Sequence, residues 1–197
     1  MGLTGDYVTH AFGPFDFAGV TQTLPTTTFE HALTRRVGSK EVRLLPVGPA
    51  HTAGDILVHV PADRTVFTGD ILFIEGHPIM WEGPVGNWIA ACEAILDMDV
   101  ETVVPGHGPI TDKQAVRNLK GYFEFVLREA KARLDAGMGW EEAGNDIALD
   151  GFRGWGESER IVANVRAAYR DLGADVRAGG AGGVFGAMQR YRLAHAH

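Results

Sequence analysis

The sequence has one cysteine, no long apolar run and no cluster of basic residues, and each shortage excludes a class of protein. A single cysteine, Cys92, cannot form an internal disulfide, which excludes a disulfide-stapled secreted domain and favours a reducing compartment. No stretch approaches the roughly 18 consecutive apolar residues of a membrane-spanning helix. The start, MGLTGDYVTH, lacks the charged and apolar regions of a secretory signal. We therefore expect a cytoplasmic protein with no membrane partner.

Basic charge is also scarce. The 197 residues include 18 Lys and Arg against 25 Asp and Glu, which gives a net charge of −7 at pH 7. Proteins that grip the phosphate backbone present basic patches, so nucleic acid is not expected as a partner. A hydrophobic content of 45% and a charged content of 22% are ordinary for one folded core. The composition therefore leaves a protein with a single folded core.

Hydrophobic periodicity divides the chain into strands first and helices afterwards, an α+β order within the α/β class. A period of two predicts two hairpins, one turning at Gly38-Ser39-Lys40. The predicted strands are 33–37, 41–47, 55–60, 65–68 and 99–105, with 71–74 as a continuation of the sheet. A period of 3.6 predicts helices over 87–98, 140–149 and 157–172. It also predicts a long helix that begins after a cap at Thr111 or Asp112.

The two ends of the chain are expected to be irregular. Gly13-Pro14, Gly19 and Pro25 interrupt the first 30 residues, which we interpret as a loop with short helical pieces whose aromatic side chains pack on a surface. The glycines at 179–183 predict a flexible break and a loosely held tail. The predicted units are an α/β part over 1–112, a helical appendix over 113–178 and a Gly-rich tail over 179–197.

Three side chains that can bind a metal lie in turns beside predicted strand ends. His51 follows one strand, Asp70 follows the second hairpin within Thr68-Gly69-Asp70, and His107 lies in Pro105-Gly106-His107-Gly108. A strand end followed by a glycine turn projects a side chain rigidly, and two imidazoles with a carboxylate suit Zn²⁺ or Fe²⁺. The alternative is that each side chain is only hydrogen-bonded within its own turn.

The segment from Val47 to Ile110 resembles the second half of the metallo-β-lactamase superfamily fold, on its H-T-A-G, T-G-D and P-G-H-G turns. The resemblance implies a partial αββα sandwich in which Asp70 bridges two metals, His51 binds the first and His107 the second. It implies one or two zinc ions, with iron or manganese as alternatives. The implied activity is hydrolysis of ester, thioester or related acyl bonds by metal-bound hydroxide, with a small-molecule substrate as the implied partner. The helical segment resembles the appendix of broad-substrate hydrolases in the same superfamily.

One part of the superfamily pattern is missing. The signature H-x-H-x-D-H is absent, and His195-Ala196-His197 has no Asp-His after it and no apolar strand before it. We therefore expect a truncated chain or a misplaced start, with doubtful metal occupancy. An uncovered sheet face would then favour a homodimer or other association. The alternative function is that of an inactive, truncated or degenerate member that serves as a structural or binding module.

Secondary candidates lie around these turns. His77, Met80 and Trp81 are expected to border the substrate cleft, and the alternative is that Met80 and Trp81 pack beneath the following helix. Asp55 is expected to hold an imidazole N–H, or else to be a turn residue at a strand start. His59 is expected to face solvent. Cys92 falls on an apolar helix face and is predicted to be an inert core residue.

Overall fold

Five strands form one sheet, in the order in which they occur along the chain. They are β1 (Leu33–Val37), β2 (Lys40–Pro46), β3 (Ile56–Val60), β4 (Thr65–Phe67) and β5 (Thr102–Val104). Strands β1 to β4 pair antiparallel, whereas β5 lies parallel to β4. The computed structural model describes residues 2–176 and 180–195. It has the mixed α/β class that the sequence predicts.

Six helices accompany the sheet in the described residues. They are α1 (Gly2–Phe12), α2 (Val85–Asp97), α3 (Lys113–Asp135), α4 (Trp140–Asp146), α5 (Arg160–Asp171) and α6 (Gly180–Ala194). The predicted cap of α3 is confirmed, because the Asp112 carboxylate accepts hydrogen bonds from the backbone N–H groups of Gln114 and Ala115. Within the described ranges, none of these helices is long and apolar enough to cross a membrane.

Alternation along the strands gives the sheet two unlike faces. Leu57, Val66 and Val103 point to the face that α2 and α3 cover, and all three are fully buried in the hydrophobic core. The strand pairing places a second set of apolar side chains on the opposite face, which none of the described helices covers. The apolar side chains of this open face include Leu33, Val42, Leu44, Ile56, Val58, Phe67 and Val104, none of which belongs to the core. Val60, at the end of β3, lies on the same side of the sheet but is buried.

The prediction that 71–74 continues the sheet is wrong. After β4 the chain turns at Gly69, whose φ is +50°, into a single 3₁₀ turn over Gly69–Ile71. A strand cannot run through that turn, because the backbone leaves the extended region there. Within the described chain, this stretch then makes one isolated bridge, between Phe73 and His107, which places the segment beside the third predicted metal turn.

Both ends of the chain are more ordered than predicted. Helix α1 packs against α6, where the Tyr7 and Phe185 rings stack at 5.5 Å and Tyr7 is buried. The prediction of a loose tail is wrong for 180–194, because an apolar stripe at helical spacing is buried there. That stripe consists of Val184, Ala187, Met188 and Tyr191. Residues 177–179 and 196–197, which include His197, lie outside the described residues.

The aromatic residues after α1 do not pack on a surface as predicted. The Phe15 and Phe17 side chains are 64% and 61% exposed in the described chain. Their rings approach each other at 6.3 Å, which leaves most of each ring in contact with solvent. The segment between α1 and β1 is therefore exposed, and it carries apolar side chains in contact with solvent.

Candidate metal centre

The topology brings the three predicted metal turns to one edge of the sheet. Strands β2 and β4 run in the same direction, because each is antiparallel to β3 between them, and β5 is parallel to β4. Three strands that run in the same direction end at one edge. The turns that follow them carry His51, Asp70 and His107, so side chains distant in sequence meet there.

The turn that holds His51 is fixed from both sides. The backbone N–H of Val47 donates to the Asp55 carbonyl at 3.0 Å, which closes the loop between β2 and β3. The Asp55 carboxylate accepts bonds from the Thr52 backbone N–H at 2.9 Å and the Thr52 hydroxyl at 2.7 Å. Asp55 therefore stabilises the turn and does not hold an imidazole, as one of the two interpretations predicts.

The imidazole of His51 is oriented by a backbone carbonyl. Its Nδ1 atom lies 3.0 Å from the carbonyl oxygen of Ile79. A carbonyl oxygen can only accept, so Nδ1 must carry the hydrogen, and in the neutral ring Nε2 then presents its lone pair. This is the arrangement by which a histidine is usually held as a metal ligand.

The turns of Asp70 and His107 interlock through glycine. The Gly106 backbone N–H donates to the Gly69 carbonyl at 2.9 Å. A Cβ added at Gly106 would lie 2.6 Å from the Gly69 carbonyl carbon and would also collide with the Asp70 carboxylate. Only glycine fits at this contact. Glycine is therefore required at position 106 of the P-G-H-G turn, because this turn packs directly against the turn that carries Asp70.

Asp70 faces both histidines, with one oxygen for each. Its Oδ2 atom lies 3.4 Å from His51 Nε2, and its Oδ1 atom lies 3.3 Å from His107 Nε2. Two ligands bound at about 2.0–2.1 Å in a tetrahedral zinc site lie about 3.3 Å apart. Each pair therefore has the separation of two ligands that share one ion, and the donor chemistry fits zinc, iron or manganese.

The three side chains do not yet form one complete centre. Across 2–176 and 180–195, no group of three or more His, Cys, Asp or Glu side chains is arranged to hold a metal ion. Asp70 instead takes part in two separate pairs, one with each imidazole. Each pair would need further ligands to complete a metal site.

The floor of the site is the ring of Phe73. It stacks on the His107 imidazole at 4.3 Å with an angle of 11° between the planes, and it lies 5.9 Å from the ring of His51. The Arg160 guanidinium sits 5.5 Å from the same ring. Phe73 is buried and thereby restrains both imidazoles. Sequence reasoning missed Phe73, although its position three residues after Asp70 in an apolar stretch was a usable signal.

The three cleft candidates are buried or partly buried in the structure. His77 is fully buried, edge-on to Tyr122 at 5.1 Å and to Trp155 at 5.6 Å. Burial, aided by the Arg160 charge and opposed weakly by the Phe152 backbone, lowers the pKa of His77 to about 4. In this structure His77 is a buried residue packed among aromatic rings.

Met80 and Trp81 take the packing role that was the alternative prediction. The Met80 side chain is buried, and its backbone N–H donates to Asn164 Oδ1 at 3.0 Å. Trp81 is partly buried and lies edge-on to Phe185 of α6 at 5.6 Å. Both are therefore held against helices of the described fold.

Two further side chains can be placed. His59 is buried on the covered face, so the expectation that it faces solvent is wrong; burial and the Arg43 charge lower its pKa. The prediction that His59 lies in a strand is confirmed. The pairing of His59 with Val66 places its side chain on the covered face of the sheet. Cys92 is buried as predicted, and burial raises the pKa of its thiol to about 12.

Comparison with known proteins identifies relatives of this architecture. The family model described as the metallo-beta-lactamase superfamily matches residues 6–107. A curated protein of Caenorhabditis elegans, "Beta-lactamase-like protein 2 homolog", is 26% identical over 83 residues, which are 42% of this chain and 27% of that protein.

Two solved structures share the fold. The sec-alkylsulfatase Pisa1 from Pseudomonas sp. matches with a TM-score of 0.55 and 14% identity, over 73% of this chain and 26% of its own. A metallo-beta-lactamase family protein from Thermus thermophilus matches with a TM-score of 0.56 and 20% identity, over 78% of this chain and 50% of its own. The chain thus spans from about a quarter to half of the length of these relatives. Because the family model covers more than half of the residues, the chain belongs to the metallo-β-lactamase superfamily.

Proposed function

We propose that His51, Asp70 and His107 form part of a metal-dependent hydrolytic centre that cleaves ester, thioester or related acyl bonds. The observation that carries the proposal is the position of Asp70, whose two oxygens each face a different imidazole Nε2 at 3.3–3.4 Å. The superfamily is generally hydrolytic, which supports the reaction class. The choice of acyl bonds is part of the proposal.

The His51 pair needs a cation to be favourable. Its Nδ1 hydrogen is engaged by the Ile79 carbonyl, so in the neutral ring Nε2 directs a lone pair at a carboxylate oxygen. Two acceptors at this distance repel each other unless a proton or a metal ion lies between them. A metal supplies that charge at neutral pH without requiring the ring to be protonated.

Each residue would have a distinct task. His51 and His107 would each donate an Nε2 lone pair, and Asp70 would bridge between them. When bound, a metal of this kind lowers the pKa of water and polarises the bond to be cleaved. The side chains of Asp70 and His107 are 39% and 55% exposed, so a small-molecule substrate can reach them from solvent. The His51 side chain is less exposed, and its bond to the Ile79 carbonyl would hold it in a fixed orientation.

Metal titration of the purified chain tests this proposal. We expect Zn²⁺, followed by Fe²⁺ or Mn²⁺, to bind by calorimetry, and His51→Ala, His107→Ala and Asp70→Asn each to weaken binding by about tenfold or more. His31→Ala is the matched control, because His31 is an exposed histidine outside the site and should leave binding unchanged. Hydrolysis of nitrophenyl esters, a thioester and an alkyl sulfate then defines the bond. Metal content at background level, with no hydrolysis, would refute the proposal.

A second candidate function is self-association through the open face. The observation that favours it is a row of apolar side chains without cover, including Phe67 at 44% exposure, across β1 to β5. Exposed apolar patches of this kind mark sites of association. In this role the chain would act as a binding module whether or not it holds metal, and sedimentation velocity in the presence of a chelator distinguishes the two functions.

A further inference from the structure

A pocket of about 310 Å³ opens beside the candidate metal centre. It lies between the segment after Asp70, the segment after His107 and the first turns of α3. The residues that line it include Phe73, Glu75, Ile110, Ala115, Leu119 and Trp155. Phe73, which stacks on the His107 ring, forms part of its wall, so the pocket begins one ring away from a proposed metal ligand. Its size is at the lower end of the range for small-molecule sites.

Most of the lining residues are apolar, and one carries a charge. Among the described residues of the wall, Glu75 alone is charged, and its carboxylate makes no ion pair or hydrogen bond with any described residue. Trp155 contributes an indole, which is the strongest aromatic partner for a cation. Ile110 is 69% exposed at the rim, where an apolar ligand would cover it. A free carboxylate and an indole beside apolar side chains together suit an ammonium group on a short hydrocarbon chain.

The backbone holds Glu75 in place for this role. Its φ is +61°, a left-handed conformation that is unusual for a residue other than glycine. The conformation is secured by the Gly156 N–H, which donates to the Glu75 carbonyl at 2.9 Å, and by the bridge between Gly76 and Gly156. The carboxylate is thus carried on a fixed backbone although the side chain itself is exposed.

We propose that this pocket binds a primary ammonium group joined to a short apolar chain, with Glu75 and Trp155 as the recognising residues. Resting on the proposed function, this makes the preferred substrate an acyl ester or thioester that carries a cationic amine. The pocket determines specificity and takes no part in bond cleavage.

Calorimetry with n-hexylammonium, hexanoate and 1-hexanol tests the pocket without activity. The full chain is titrated with a chelator present, so that the metal centre does not contribute. We expect hexylammonium to bind about tenfold more tightly than hexanoate, since ion pairing and cation–π attraction act together. Glu75→Gln should remove most of this preference, whereas Glu82→Gln, an exposed glutamate outside the pocket, should retain it. Ala115→Phe, which fills the pocket from α3, should weaken binding of the ammonium and the alcohol alike.

The outcomes separate this inference from the proposed function. Equal binding of the ammonium and the carboxylate, or a preference that Glu75→Gln leaves unchanged, would overturn the inference even if metal binds. Ammonium binding by a chain that takes up no metal would uphold the pocket and refute the hydrolytic centre. If the chain hydrolyses esters, a 6-aminohexanoyl ester should exceed a hexanoyl ester in kcat/KM by about tenfold, and Glu75→Gln should remove most of that difference.

Discussion

The two faces of the sheet are built from alternate residues of the same strands, yet they have opposite environments. Leu57 on the covered face is fully buried under the helices, whereas Val58, its neighbour in β3, points to the open face and is only partly buried. In β4 the contrast is larger, with Val66 fully buried and Phe67 at 44% exposure. A single step along a strand therefore separates core from surface.

The two faces would have different roles. The covered face holds the candidate site in place, and the open face is the proposed surface for self-association. The covered face joins α2 and α3 in one hydrophobic core and so fixes the strand ends that carry the three candidate ligands. The open face is just as apolar but contributes little burial to the described fold. Stability should therefore depend on one face, and association on the other.

Removal of a core side chain should have the largest effect. We expect Leu57→Ala to lower the free energy of unfolding by about 2–5 kcal/mol, because it leaves a cavity beneath the helices. Phe67→Ala removes a larger side chain from the open face and should cost less than about 1 kcal/mol. Urea denaturation followed by circular dichroism measures both. Similar losses for the two variants would mean that the open face is covered after all.

Acid should lower the free energy of unfolding through His77. Its folded pKa of about 4 lies below the ordinary value of 6.5, so the unfolded chain binds a proton that the folded chain excludes. Stability is then complete above about pH 6.5 and falls between pH 6.5 and pH 4, by about 3 kcal/mol in total. The groups that face the ring are Arg160, whose charge acts in the same direction, and Tyr122, whose pKa burial raises.

The contribution of His77 is isolated by comparing variants over this pH range. His77→Leu should reduce the slope of unfolding free energy against pH, while carboxylate titration elsewhere continues to act. His31→Leu replaces an exposed histidine and should leave the slope as in the unsubstituted chain. An unchanged slope in His77→Leu would contradict a depressed pKa at this buried ring.

The strands and the candidate ligands could be predicted because their signals are local. The hairpin of β1 and β2 follows from alternation on either side of Gly38, and its predicted limits agree with the structure to within one residue. The placement of His51, Asp70 and His107 follows from strand ends and glycine turns, and the structure brings Asp70 to both histidines.

The positions that the sequence left open or missed depend on contacts between distant residues. Met80 is held by Asn164 of α5, 84 residues further along the chain, which nothing in the local sequence indicates. Helix α6 was hidden by its glycines, and its order comes from packing on α1 at the other end of the chain. Local pattern reports which side chains are apolar, whereas the partner that buries them is a tertiary property.

A charge on the open face should break association with little change in stability. Val58 lies between Leu44 and Phe67 in the strand pairing, near the middle of this face. We expect Val58→Arg to raise the dissociation constant of a self-associated form by at least about tenfold, because the charge would be buried without a partner. Thr34→Arg adds the same charge on an exposed edge-strand position that points to the other face. Sedimentation equilibrium that finds only monomer in the unsubstituted chain would refute this role of the face.

The smallest expected effect concerns the helix that closes the covered face. Asp112 accepts two backbone bonds at the start of α3, so Asp112→Ala should lower the free energy of unfolding by about 1 kcal/mol. Asp112→Asn keeps an oxygen acceptor and should recover most of that loss. Because the capped turn lies at the pocket that contains Ala115, fraying should also weaken hexylammonium binding while metal affinity stays constant. Hydrogen exchange at Ala115 measures the fraying directly, and unchanged protection in Asp112→Ala would show that the helix is held by its packing on the core and not by its cap.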